Sequence, residues 1–190
     1  VGDDGGVWVV DPVDAPGVDD LLSEFGDVAG VVVGLDRHKR DAAAVATRHD
    51  APVYVPQWMS GVADALDAPV ERFGGELADS GFEAVRIRDS GIPPWQEVGL
   101  YHPEGGTLLV PEAVGTAAYF RAPGEPLGVH PMLRPVPPRR ELSRFDPERV
   151  LVGHGAGVDT DAAAALDDAL DNARSNLPGA YGQALKQLLS

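Results

Sequence analysis

Asp36, His38 and Asp41 fall within six residues, at the end of the apolar run Val-Val-Val-Gly-Leu that begins at Val31. His154 follows a second apolar run, Val150-Leu151-Val152-Gly153. Carboxylate oxygens and imidazole nitrogens are ligands for divalent metals, and with no cysteine in the chain they are the only strong ones available. Residues two apart on an extended segment project to the same side. A third at the start of a following helix can turn toward the same point, so this spacing can gather several donors around one ion. The plainer reading of the same residues is that Asp36 ends a strand, Asp41 caps a helix, and Arg37, Lys39 and Arg40 are solvated.

Donors of this kind need rigid elements to hold them. Val7 to Val10 reads as a buried strand, closed by Asp11-Pro12. Val18 to Phe25 has helical spacing, with Leu21, Leu22 and Phe25 on one face. Val31 to Leu35 is expected as a second strand, Asp41 to His49 as an alanine-rich helix and Val53 to Val55 as a third strand. Strand, helix, strand, helix, strand argues for an α/β domain with short connections. Ser60 to Leu66 is a candidate short helix, and Glu83 to Arg88 a strand. Val98 to His102 and Thr107 to Val110 flank a turn with two glycines, which is a hairpin pattern. The segment from Arg121 to Arg140 is rich in proline and arginine, and reads either as a stiff surface crossing or as a substrate-facing loop. Val150 to Val152 is a last buried strand. A helix from Asp159-Thr160-Asp161 through Ala173 and another from Pro178 to Leu189 complete the chain. No repeat or linker interrupts it, so residues 1–190 are expected to form a single domain.

The net charge is −15, from 30 acidic and 15 basic side chains, with lysine only at Lys39 and Lys186 and isoleucine only at Ile87 and Ile92. The acids are spread along the chain rather than run together, which favours a hydrated carboxylate surface over a site for basic partners. In this the composition resembles proteins of salt-loving archaea. The same charge argues against nucleic acid and anionic membranes as partners. No apolar run reaches the roughly 18 residues of a membrane helix. No basic-then-apolar leader opens the sequence, so a cytoplasmic location is expected.

The order of these motifs resembles the metallo-β-lactamase superfamily. An early strand ends in Asp11-Pro12. An apolar strand leads into the polar cluster from Asp36 to Asp41, then Ala42-Ala43-Ala44 and Ala51-Pro52-Val53-Tyr54. Gly105-Gly106-Thr107-Leu108-Leu109-Val110-Pro111-Glu112 and Leu151-Val152-Gly153-His154-Gly155 follow at similar spacing. The resemblance implies a four-layer αβ/βα sandwich with mixed sheets and a site for two divalent ions, zinc first among them. It also implies damage to that site. The family's first motif histidine falls on Asp36, the second on His38, its aspartate on Arg40 and its third histidine on Asp41. The middle histidine falls on Ile92, the bridging aspartate on Glu112 and the last histidine on His154.

The candidate metal set is therefore Asp36, His38, Asp41, Glu112 and His154. It implies no ion or one, rather than an intact pair. Arg40 places a permanent cation where an ion would sit, and is expected to pair with Asp41 and Glu112 or to bind an anionic ligand. Trp95, near the lost ligand position, is the second candidate for ligand contact, while Trp8, Trp58 and Trp95 are all candidates for the core or a cleft wall. His130 is kept as an outside candidate, because its proline-rich loop could face the cleft. The leading expectation is a non-hydrolytic or weakened member of the superfamily that binds a small ligand. The alternatives are a hydrolase with one divalent ion acting on an ester or thioester, and a structural or partner-binding domain, with homodimerisation open.

Overall fold

A computed structural model describes residues 1–188 of the chain. They form two compact units, Val1–Val98 and Gly99–Ser190.

In the first unit β1 (Val7–Val10), β2 (Val28–Val32), β3 (Val53–Pro56) and β4 (Val70–Phe73) lie in the order β1-β2-β3-β4, each pair parallel. Parallel neighbours need crossovers. The first is α1 (Val18–Ser23) and the second α2 (Ala42–Arg48). Valines with both faces covered supply the centre: Val31, Val33, Val53 and Val55 pack with Ala42, Val45 and Ala46 of α2 and with Met59 and Val62. Gly30 sits between Trp8 and Tyr54, whose rings meet edge to face at 4.9 Å. A methyl group there would lie 2.6 Å from Tyr54 and 2.7 Å from Trp8, so only glycine lets the rings close over the strand.

Several expectations are corrected in this unit. α1 does not bury an apolar stripe: Leu21 and Phe25 are 53% and 58% exposed, and Leu22 alone of the three packs on the core. β2 starts earlier than Val31 and leaves the ladder after Val32. Val33 and Leu35 remain buried, and Leu35 bridges Glu97. β4 is an addition to the expected strands, because Val-Glu-Arg-Phe lacks a β-branched run. The candidate helix at Ser60 to Leu66 reduces to a short 3-10 turn, Ala63–Ala65. β5 (Glu83–Gly91) runs to Gly91, and a tight turn at Ile92-Pro93 starts β6 (Pro94–His102).

In the second unit the end of β6 pairs antiparallel with β7 (Thr107–Val110) across the expected glycine turn. β7 pairs parallel with β10 (Arg149–Val152). β10 is not the fully covered strand expected: Val150 is buried but Leu151 is 43% exposed. β8 (Val114–Gly115) and β9 (Gly128–Val129) form a separate antiparallel pair. β9 lies in the segment read as a crossing or loop, which also holds the single turn α3 (Arg139–Leu142). That segment is not a surface crossing, since Leu127, Val129, Leu133 and Arg134 are all buried. α4 (Ala162–Asn172) buries Ala165, Leu166, Ala169 and Leu170 at helical spacing. α5 (Leu177–Leu188) follows; the expected end at Leu189 lies outside the described residues. No described helix is long and apolar enough to cross a membrane.

Candidate functional site

The polar cluster of the first unit is built on Asp11, which ends β1 with a left-handed φ of 48°. One of its oxygens accepts the Gly34 N–H at 2.7 Å and the other meets His38 Nδ1 at 2.9 Å. Burial pushes the Asp11 carboxyl up, and the His38 hydrogen bond and charge and the backbone amides only partly counter it. A carboxylate at Nδ1 makes that nitrogen the donor, so the neutral ring carries its lone pair on Nε2. This carboxylate–histidine arrangement is the one that orients metal-ligating histidines. The turn carrying His38 is fixed by its N–H to the Leu35 carbonyl at 2.9 Å and by the Asp36 N–H to the Gln96 carbonyl at 3.0 Å. Asp36 holds Lys39 Nζ through its backbone carbonyl at 2.7 Å. Its buried Oδ1 accepts no hydrogen bond among the described residues, and Arg37 approaches it only to 3.6 Å.

Arg40 and Asp41 pair with each other. Arg40 Nε and Nη2 reach the two Asp41 oxygens at 2.9 and 2.7 Å, and the Asp14 N–H adds a third bond at 3.1 Å. Hydrogen bonds from Arg40, then from Asp14, hold the Asp41 carboxyl below its usual range. Asp41 precedes α2 but makes no side-chain cap, because its oxygens are taken. The Arg40 side chain is 77% exposed, so the pair lies at the surface rather than in the interior.

Trp95 is 1% exposed, donates its indole N–H to buried Glu97 at 2.7 Å, and carries the Arg37 guanidinium over its ring at 4.2 Å. It is a core residue in this unit, which leaves a ligand no face to approach without rearrangement. Ile92, the residue matched to the middle histidine, is 95% exposed at the tip between β5 and β6. That match is corrected: the residue lies on a solvent-facing turn, away from any cluster of donors.

In the second unit Glu112 and His154 come together. Glu112 is 7% exposed, and His154 Nε2 lies 2.9 Å from its Oε2. His130 Nε2 lies 3.4 Å from the other oxygen. His130, only an outside candidate on sequence grounds, thus belongs to the cluster, and its tautomer can be read from its neighbours. Nδ1 accepts the Met132 N–H at 3.2 Å, so in the neutral ring Nε2 carries the proton and points it at Glu112. Fully buried Phe120 supports both rings, stacked on His154 at 5.5 Å and edge to face with His130 at 5.3 Å. Tyr119 meets His154 edge-on at 5.9 Å. Burial, then the Glu112 charge, pushes its phenol up to about 12, so it stays neutral. Gly155, at φ 109°, lets the chain pass the loop after Glu112. A Cβ there would lie 2.2 Å from Thr116 Oγ1.

Arg134 ties this cluster down. It is 0% exposed and donates to the carbonyls of Phe120 at 2.6 Å, Val129 at 3.1 Å and Ala173 at 3.4 Å, and to both oxygens of Glu125. Burial raises the Glu125 carboxyl, but bonds from Arg134, the Ala122 N–H and Asn176 together bring it below its usual value.

No protein-family model matches the sequence, and no curated protein matches it. Solved structures do. A metallo-beta-lactamase from Pontibacter korlensis aligns over 88% of this chain and 83% of its own, at TM-score 0.58 and 15% identity. The DIM-1 metallo-beta-lactamase aligns over 93% and 83%, at 0.58 and 16%. TTHA1623, solved in a di-iron-bound form, aligns over 82% and 85%, at 0.52 and 23%. Coverage and TM-score agree across these structures, and the fold of this chain is the mixed α/β sandwich of the metallo-β-lactamases.

Proposed function

We propose that this chain is a metallo-β-lactamase-fold protein without the two-ion hydrolytic centre, non-hydrolytic or weakly active, taking at most one divalent ion. The observation that carries this reading is the Arg40–Asp41 pair. Both Asp41 oxygens are engaged by a permanent cation and a backbone amide, at the position where a second ion would need a ligand. His130 is tautomerically committed to donating. Two ions do not fit these residues.

For one ion, donors of suitable type remain within each unit: Asp36 and His38 in the first, Glu112 and His154 in the second. The Asp11–His38 hydrogen bond, which puts the lone pair of the neutral ring on Nε2, is the observation that favours a cation. A bound divalent ion would supply Lewis-acid polarisation of a ligand oxygen. Asp11 would then act by holding the His38 tautomer. This second reading admits weak ester or thioester hydrolysis.

Metal content of protein purified at high salt without chelator tests both. Zero or one equivalent per chain is expected. About one equivalent that is lost in His38→Ala, with zinc-dependent ester cleavage, selects the single-ion hydrolase. Two equivalents would overturn the proposal.

A further inference from the structure

The first unit carries a cavity of about 490 Å³, lined by Gln57, Trp58, Gly74, Ala84 and Arg86. It has no part in the residues discussed above. Ala84 and Arg86 stand on the same face of β5, opposite the buried Val85 and Ile87, as strand alternation requires. Gln57 and Trp58 come from the turn after β3. Arg72 pins that turn by donating to the carbonyls of Pro56 at 3.2 Å and Met59 at 3.0 Å. Gly74, at the exit of β4, and Ala84 keep part of the lining low.

The polar groups of this cavity have a common sense. The Arg86 guanidinium lies over the Trp58 ring at 4.7 Å, a cation–π contact that holds it at the cavity. Its nearest carboxylate, Asp89, is 3.8 Å away, beyond a good hydrogen bond. Elsewhere Arg40, Arg48 and Arg134 each reach a carboxylate with two prongs, which Arg86 does not. The Gln57 side-chain amide makes no hydrogen bond among the described residues. One oriented cation, one neutral amide donor and an aromatic wall match a small monocarboxylate with an apolar body. The volume falls in the usual range of roughly 300–1,000 Å³ for small-molecule sites. A dianion is disfavoured, because a single guanidinium is available and the chain carries a net charge of −15.

We infer that this cavity binds a small organic monocarboxylate, held by Arg86 and Gln57 against Trp58. Benzoate is the probe, with benzamide and inorganic phosphate as comparators, followed by the Trp58 indole resonance in the folded full chain. Saturable benzoate binding is expected, with benzamide and phosphate weaker by about tenfold or more, the scale of a charge-assisted bond. Arg86→Lys keeps the charge but loses the fork and the stacking, and should weaken benzoate by a similar factor. Arg86→Ala should abolish binding while the thermal midpoint stays near that of the parent, since the side chain is 55% exposed. Gln57→Leu, at an exposed position, gives a second variant that leaves the fold intact and should weaken benzoate severalfold. Benzoate binding unchanged in Arg86→Ala, phosphate binding as tight as benzoate, or no saturable response would each overturn the inference.

Discussion

Arg134→Met should destabilise the protein severely, and the structure gives the size of the effect. The guanidinium is completely buried and Glu125 is 8% exposed, so neither charge can turn to water when its partner is lost. Removing one member of a buried pair costs about 3–5 kcal/mol, because the other charge stays buried without compensation. The carbonyls of Phe120, Val129 and Ala173 lose a donor as well, each worth about 1 kcal/mol where water cannot replace it. Against a total stability of about 5–15 kcal/mol, the variant should be partly unfolded at ambient temperature.

Urea titration of Arg134→Met, Glu125→Gln and the double variant measures this. The introduced glutamine leaves no stranded charge in the double variant, and its amide can still meet the Ala122 N–H and Asn176. The double should therefore be more stable than the sum of the singles predicts, by about 1–3 kcal/mol. The pH dependence gives an independent sign. The parent Glu125 carboxyl is held below its ordinary 4.5, so its contribution is present above pH 4.5 and is lost as pH falls through the folded value. In Arg134→Met burial, the largest influence on this carboxyl, is opposed only by the Ala122 N–H and Asn176, and the carboxyl rises. The variant should then regain stability on acidification. A loss under about 1 kcal/mol in the single variant, strict additivity in the double, or acid slopes of the same sign would refute the reasoning.

Asp11 should show the opposite linkage to the parent Glu125. Its carboxyl is raised above 3.8 by burial, so its stabilising contribution is full below that pH and is lost as pH rises through the folded value. The parent should lose stability relative to Asp11→Asn as pH rises from about 4, measured by chemical denaturation across a pH series, and a pH-independent difference would count against it. Gly155→Ala forces a side chain into φ 109° and places Cβ 2.7 Å from the Ala117 backbone nitrogen. A loss of about 2–4 kcal/mol is expected, with the His154 ring resonances shifted as the ring leaves Phe120; an unchanged midpoint would show that the loop yields freely.

The parts of the fold legible in the sequence were those where pattern and burial coincide. The apolar runs of β1, β3 and β7 and the alanine face of α4 have one stable reading, because an apolar run of that length must be covered. His38 and His154 were legible because strand ends deliver them. Ile92 was misplaced for a physical reason. Ser90-Gly91-Ile92-Pro93-Pro94 looks like an irregular loop, yet proline is tolerated at the first residue of a strand, so the turn tightens to two residues and β6 begins at Pro94. His130 was hidden by the prolines around it. The signal available was the apolar spacing of Leu127, Val129 and Leu133, which a surface crossing would not need. Arg134 could not have been found, because arginine is rarely buried, and only the carbonyls of distant residues reveal why it is here.

The carboxylates of the two polar clusters share one property that bears on function. A buried carboxylate needs donors or a cation. Asp11 has an amide and an imidazole, Asp41 a guanidinium and an amide, Glu112 two imidazoles and Glu125 a guanidinium. Each of these carboxylates is compensated by side chains and amides of the chain itself. An incoming ion must therefore displace existing partners, and the cost differs by site. The Arg40–Asp41 pair is at the surface and screened by water, so it would yield readily to an ion. Displacing Arg40 frees one carboxylate there, and the other partner of Asp41 is a backbone amide, which cannot ligate an ion. At Glu112 the reverse holds: His154 can turn from donor to ligand by carrying its proton on Nδ1 instead of Nε2, whereas His130 cannot without setting two N–H groups against each other at Met132. Ion uptake at Glu112 should thus draw on His154, and the His130 bond should survive it.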